Sequence, residues 1–167
     1  MIKLTAEQIA SYWEQSFGKA DGLWFMKVEE KYGFDVALDV DEAVWSILPK
    51  MQARMLKSMG GIGNGMDGLL ECLTTLLDLE GFDLEVDRDS DGFTIVFKQC
   101  HWHDAMVKSG REQYSGRVGT RVCTTQYSVF AAEFGDDIRF ELQEQVCKGA
   151  PSCSLKFSSA SASANEG

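Results

Sequence analysis

Residues 82–97, FDLEVDRDSDGFTIVF, decide the fold. Phe82, Leu84 and Val86 alternate with Asp83, Glu85 and Asp87. Asp89-Ser90-Asp91-Gly92 is turn chemistry, and Phe93, Ile95 and Phe97 resume the apolar set. A period of two places the apolar residues on one sheet face and the acids on the other, so the segment predicts a β-hairpin with one buried face.

Everything before the hairpin has a helical period. Thr5-Ala6-Glu7-Gln8 fits a capping box, and Ile9, Trp13 and Phe17 follow on one face. A second helix is expected over 22–32, with Trp24, Val28 and Tyr32 on one side and Gly33 as its stop. A third, over about 41–59, carries Val44, Leu48, Met51 and Met55, with Pro49 as a kink. The run GGIGNGMDG at 60–68 has no strand before it and no Gly-Lys-Ser/Thr after it, so it reads as a helix connection and not as a phosphate cradle. Leu69, Leu70, Leu73, Leu76 and Leu77 then form a broad apolar helix face, with Cys72 beside it in the core.

After the hairpin a helix is predicted over 119–134, its inner stripe Cys123, Tyr127, Phe130 and Phe134. A strand over 138–146 alternates Phe140, Leu142, Glu144 and Val146 inward against Arg139, Glu141, Gln143 and Gln145. Its partner over 153–157 points Cys153, Leu155 and Phe157 the same way. The order is helices followed by ββαββ, an α+β fold with N-terminal helices packed on an antiparallel sheet of two hairpins around a helix. One domain is expected over 1–158, helical over 1–80 and α+β over 81–158, with 159–167 as a disordered tail.

Composition narrows the function. The 167 residues are 44% hydrophobic, enough for one core. A net charge of −10, with scattered Lys and Arg, argues against nucleic acid as a partner. There is no apolar run long enough for a membrane span, and the N-terminus lacks a signal-peptide pattern, so a soluble cytoplasmic protein is expected. Five cysteines without an export signal favour metal ligation over a disulfide framework.

Cys123, Glu144, Cys147 and Cys153 each fall on an inward or strand-end position. A carboxylate on a core face needs a partner, and a cation held by thiolates supplies one, so these four residues are a candidate zinc shell. A Cys147–Cys153 disulfide and plain buried thiols are the alternatives. A second cluster, Cys100-His101-Trp102-His103-Asp104, contains both histidines. Cys100 or His103 can replace Glu144 as a ligand. His103 can serve as a general base and Cys100 or Cys123 as a nucleophile, the chemistry of a small-molecule hydrolase. Alternatively, Asp104 caps a short helix over 105–109 and the histidines are polar strand-end residues. Cys100, Cys123, Cys147 and Cys153 together would also suit an iron–sulfur cluster. Trp24, Phe25, Trp45, Met55, Trp102 and Tyr127 are candidate lining residues of a pocket for a small apolar or aromatic molecule, placed between the N-terminal helices and the sheet.

Trp102, Cys123, the run Tyr127-Ser128-Val129-Phe130-Ala131-Ala132, Glu144-x2-Cys147, Gly149 and Cys153 together resemble the 4-vinyl reductase domain, a small-molecule-binding fold found in sensors of aromatic compounds. The resemblance spans about 80–158. It implies a zinc shell of Cys123, Glu144, Cys147 and Cys153, an aromatic pocket lined by Trp102, and pairing as a homodimer. The whole chain also resembles a group of small bacterial and archaeal proteins without a known activity. More distantly it resembles the L-2-amino-thiazoline-4-carboxylate hydrolase family.

Overall fold

The computed structural model describes residues 1–160. The chain divides into two compact units, Met1–Ala43 and Val44–Gly167, so the division falls inside the helical part. Most of the expected tail, 161–167, lies outside the described residues.

The first unit holds α1 (Ala6–Tyr32) and most of α2 (Phe34–Trp45). The capping box forms: Gln8 N–H donates to Thr5 Oγ1 at 3.2 Å, and Thr5 N–H donates to Gln8 Oε1 at 3.0 Å. Gly33, at φ 87°, stops the helix. Between these signals α1 is continuous and does not restart at residue 22. Gly18 and Gly22 sit inside it with open space around them, and about 1 kcal/mol per exposed helical glycine is too little to interrupt 27 residues. The stripe of Ile9, Trp13 and Phe17 remains exposed. Phe25 meets Phe34 edge-on, with ring centroids 5.9 Å apart.

The helix expected over 41–59 is divided between the end of α2 and α3 (Leu48–Gly60). Pro49 lies in the first turn of α3, where its missing N–H leaves no intrahelical bond unmade, so the chain breaks ahead of the proline instead of kinking at it. Gly61 closes α3 in the left-handed conformation, and Gly65 opens α4 (Met66–Leu79). The connection between them is tight: a Cβ on Gly68 would stand 2.2 Å from the Gly63 carbonyl oxygen.

The sheet of the second unit is antiparallel in the order β1-β2-β4-β3, with β1 (Leu84–Arg88), β2 (Gly92–Phe97), β3 (Ile138–Glu144) and β4 (Cys153–Ser159). The first hairpin pairs Val86 with Ile95. Its inner face thins toward the edge, because Phe93, Ile95 and Phe97 are buried while Val86 is exposed. The central pair β2–β4 places Ile95 opposite Leu155 and Phe93 opposite Phe157. Between the hairpins run α5 (His101–Lys108) and α6 (Glu112–Ala132). The core packs Ala53 of α3, the leucines of α4 with Cys72, and Tyr127, Phe130, Ala131 and Phe134 against the apolar residues of β2 and β4. The fold is therefore α+β, with helices leading into a four-stranded antiparallel sheet.

Three boundaries move. α5 begins at His101, so both histidines and Trp102 occupy a helical first turn, and Asp104 lies inside the helix instead of capping it. α6 begins at Glu112, seven residues before the apolar stripe shows it. β4 continues to Ser159, which pairs with Ile138. The consequential change is in β3, where Leu142 faces Leu155 but Glu144 faces Ser154, one residue out of register. This bulge reverses the alternation. Glu144, expected on the core side, is exposed, and its Oε2 accepts from Ser152 Oγ at 3.2 Å. Gln145, expected on the wet face, is buried at 6% exposure.

Candidate functional site

Four cysteines from separate segments gather in the second unit. Cys100 lies at the N-cap of α5, Cys123 is halfway along α6, Cys147 is in the short 3-10 turn Val146–Lys148, and Cys153 opens β4. All are free thiols. Burial is the largest influence on each and pushes every one of them toward the neutral form. On Cys123 the charges of Cys100, Cys147, Cys153 and Glu80 act in the same direction, which places all four groups within electrostatic reach of Cys123. Cys153 is pushed up to about 11 by burial, against the Val146 amide. Val146 N–H donates to Cys153 Sγ at 3.4 Å. At Cys100 the amides of His103 and Trp102 favour the thiolate while burial and Asp104 oppose it. The fifth cysteine, Cys72, is packed in the core.

Glu80, just past α4, was not anticipated from the sequence. Burial raises its carboxyl to about 7. Tyr127 is buried beside the cluster, and burial followed by the Cys123 and Glu80 charges raises its phenol. Its ring lies 5.6 Å from that of Phe140.

The turn carrying Cys147 is seated on α6 through two glycines one turn apart. A Cβ on Gly119 would stand 2.8 Å from Cys147 Sγ and 3.6 Å from Trp102 Cζ3, and one on Gly116 would stand 3.0 Å from the Cys147 carbonyl oxygen. Trp102, half-buried, therefore packs on the same spot of α6 as the Cys147 sulfur. Polar contacts hold the seat. Ser115, fully buried, donates from Oγ to the Cys147 carbonyl at 3.4 Å and meets His103 Nδ1 at 3.2 Å. The candidate general base is thus engaged at Nδ1 with the Ser115 hydroxyl, the donor and acceptor roles following its tautomer. His101 turns away, its Nε2 2.8 Å from the Gly81 carbonyl oxygen.

The structure thus brings Cys100, Cys123, Cys147, Cys153, Trp102 and Tyr127 together and leaves Glu144 facing solvent. Trp24 and Phe25 belong to the first unit, where Trp24 is exposed. Met55 is likewise exposed on α3, and Trp45 is half-buried at the end of α2. A groove of about 580 Å³ is lined by Asp67, Leu70, Glu71, Thr74, Val86 and Arg88, which include none of the residues expected to line a pocket. Among the described residues, no three Cys, His, Asp or Glu side chains already converge as ligands on one point. The donor set suits a thiophilic ion in kind.

These features define an α+β domain with a half-buried thiol cluster between its second helical pair and its sheet. The chain belongs to a family of unknown function, DUF6125, whose model it matches over residues 4–157. No curated protein and no solved structure matches it. Among the described residues no helix is long and apolar enough to cross a membrane.

Proposed function

We propose that the protein is a cytoplasmic metal-binding domain whose centre is formed by Cys100, Cys123, Cys147 and Cys153, with zinc as its ion, and that it binds a small apolar or aromatic molecule beside Trp102. The observation that carries the reading is the mutual electrostatic reach of four thiols from four segments, with a carboxyl at its margin. As thiolates they repel one another in a half-buried place, and a divalent cation offsets that repulsion. Bound zinc would supply cross-linking of α5, α6 and the β3–β4 connection, the role of a closed four-ligand site. Cys123, Cys147 and Cys153 are three of the positions implied by the resemblance to the 4-vinyl reductase domain. Cys100 takes the fourth in place of Glu144.

An all-thiol set also favours a second reading, an iron–sulfur cluster. Protein purified without air, analysed for metal and by absorption, separates the two: one colourless zinc per chain supports the first and visible charge-transfer bands the second. Metal far below one per chain rejects both. The small-molecule part of the proposal rests on Trp102 and Tyr127 beside the thiols. Trp102→Ala is expected to weaken binding of a phenolic probe, and unchanged binding overturns that part. Pairing as a homodimer is supported by the exposed stripe Ile9, Trp13, Phe17 and Trp24 on α1. Light scattering tests it.

A further inference from the structure

The bulge in β3 does more than turn Glu144 outward. It carries Gln145 inward, and a buried primary amide requires partners for both ends of its side chain. Thr120 Oγ1 lies 2.8 Å from Gln145 Oε1 and 2.7 Å from the Gly116 carbonyl oxygen, its single proton shared between the two acceptors, while Gln145 Nε2 donates to Cys147 Sγ at 3.6 Å. The Gln145 backbone carbonyl meanwhile accepts from Lys148 N–H at 3.0 Å and Ala150 N–H at 3.2 Å, which closes the turn that holds Cys147. Thr120 is one residue beyond Gly119, the glycine on which the Cys147 sulfur rests. We propose that Gln145 is a positioning residue whose side-chain N–H, aimed by Thr120, holds the Cys147 sulfur toward the other thiols and hydrogen-bonds it when it ligates the metal. This deepens the metal reading and rests on it for its second half.

An N–H···S bond to a ligating sulfur fixes its direction and withdraws charge from it, and removing such an outer partner typically lowers metal affinity about 10- to 100-fold. Gln145→Met keeps the length and removes both polar ends. Thr120→Val leaves Gln145 in place but releases its Oε1. Two measurements decide the proposal. In metal-free full-length protein, the Gln145 side-chain amide protons are expected to show nuclear Overhauser contacts to the Cys147 β-protons. Absence of these contacts overturns the positioning whatever the metal does. In cobalt-loaded protein, Gln145→Met is expected to lose affinity by about tenfold or more and to shift the thiolate-to-cobalt absorption band, with Thr120→Val following in the same direction. A band and an affinity like those of the unsubstituted protein in Gln145→Met overturn the ligand-tuning half. If the unsubstituted protein takes up no cobalt or zinc while the proton contacts are present, the metal reading falls and the positioning of Cys147 stands.

Discussion

Gly119→Ala tests the seating of the Cys147 turn on α6. In an unobstructed helix interior the change stabilises by about 0.5–1 kcal/mol, because alanine has less backbone entropy to lose. Here the added methyl stands 2.8 Å from Cys147 Sγ, where ordinary contact begins near 3.4 Å, and 3.6 Å from Trp102 Cζ3. The sulfur must retreat by about 0.6 Å, which strains the Gln145 contact and the turn behind it. Overpacking of this kind costs about 1–3 kcal/mol, so the net effect is a loss of roughly 0.5–2 kcal/mol despite the better helix former. Ser128→Ala, exposed on the same helix, is the reference and is expected to gain a few tenths of a kcal/mol. Urea denaturation followed by circular dichroism measures both. A Gly119→Ala protein as stable as Ser128→Ala, with unaltered metal uptake, would refute the packing argument.

Gly68→Ala is expected to be more damaging than Gly119→Ala, losing more than about 2 kcal/mol. Its methyl meets backbone, the Gly63 carbonyl at 2.2 Å, and not the end of a mobile side chain; thermal melting checks this. Glu80 sets a pH dependence in the metal-free protein. Its folded-state pKa, raised by burial to about 7, exceeds the ordinary carboxyl value of 4.5, so its contribution is fully present below about pH 4.5 and is lost as pH rises through 7. Glu80→Gln should flatten that part of the stability profile and leave the protein more stable at pH 8; an unchanged slope between pH 5 and 8 would show that Glu80 is not held neutral. Cys100→Ser should abolish stoichiometric metal uptake, whereas Glu144→Gln should retain it, because Glu144 faces solvent beside Ser152. Metal analysis of the two proteins reads the difference, and the opposite result would restore Glu144 as the fourth ligand.

Where one periodicity ran uninterrupted between clear stop signals, the sequence was legible. The capping box at Thr5, the stop at Gly33, the first hairpin and the apolar stripe of α6 are all where residue type and spacing place them. A local signal that depends on its partner strand or helix is not legible in the chain alone. The alternation from Phe140 to Val146 is equally consistent with a regular strand and with a bulged one, and only pairing to β4 shows the extra residue. That single step explains both the outward Glu144 and the buried Gln145. The start of α6 was hidden because Ser115, Gly116 and Gly119 are a poor helical signature. Their small size is what lets Cys147 and Trp102 approach the helix. Glu80 gave no sequence signal; its electrostatic reach to Cys123 and Tyr127 of α6 is what marks it.

The central claim is a centre of four sulfurs in which Cys100 is the fourth. X-ray absorption at the metal edge of the purified protein tests it most directly. The account predicts four sulfur neighbours, at about 2.3 Å if the ion is zinc, falling to three in Cys100→Ser if any metal is retained and staying at four in Glu144→Gln. Three sulfurs with an oxygen in the unsubstituted protein, or no stoichiometric metal to measure, would contradict it.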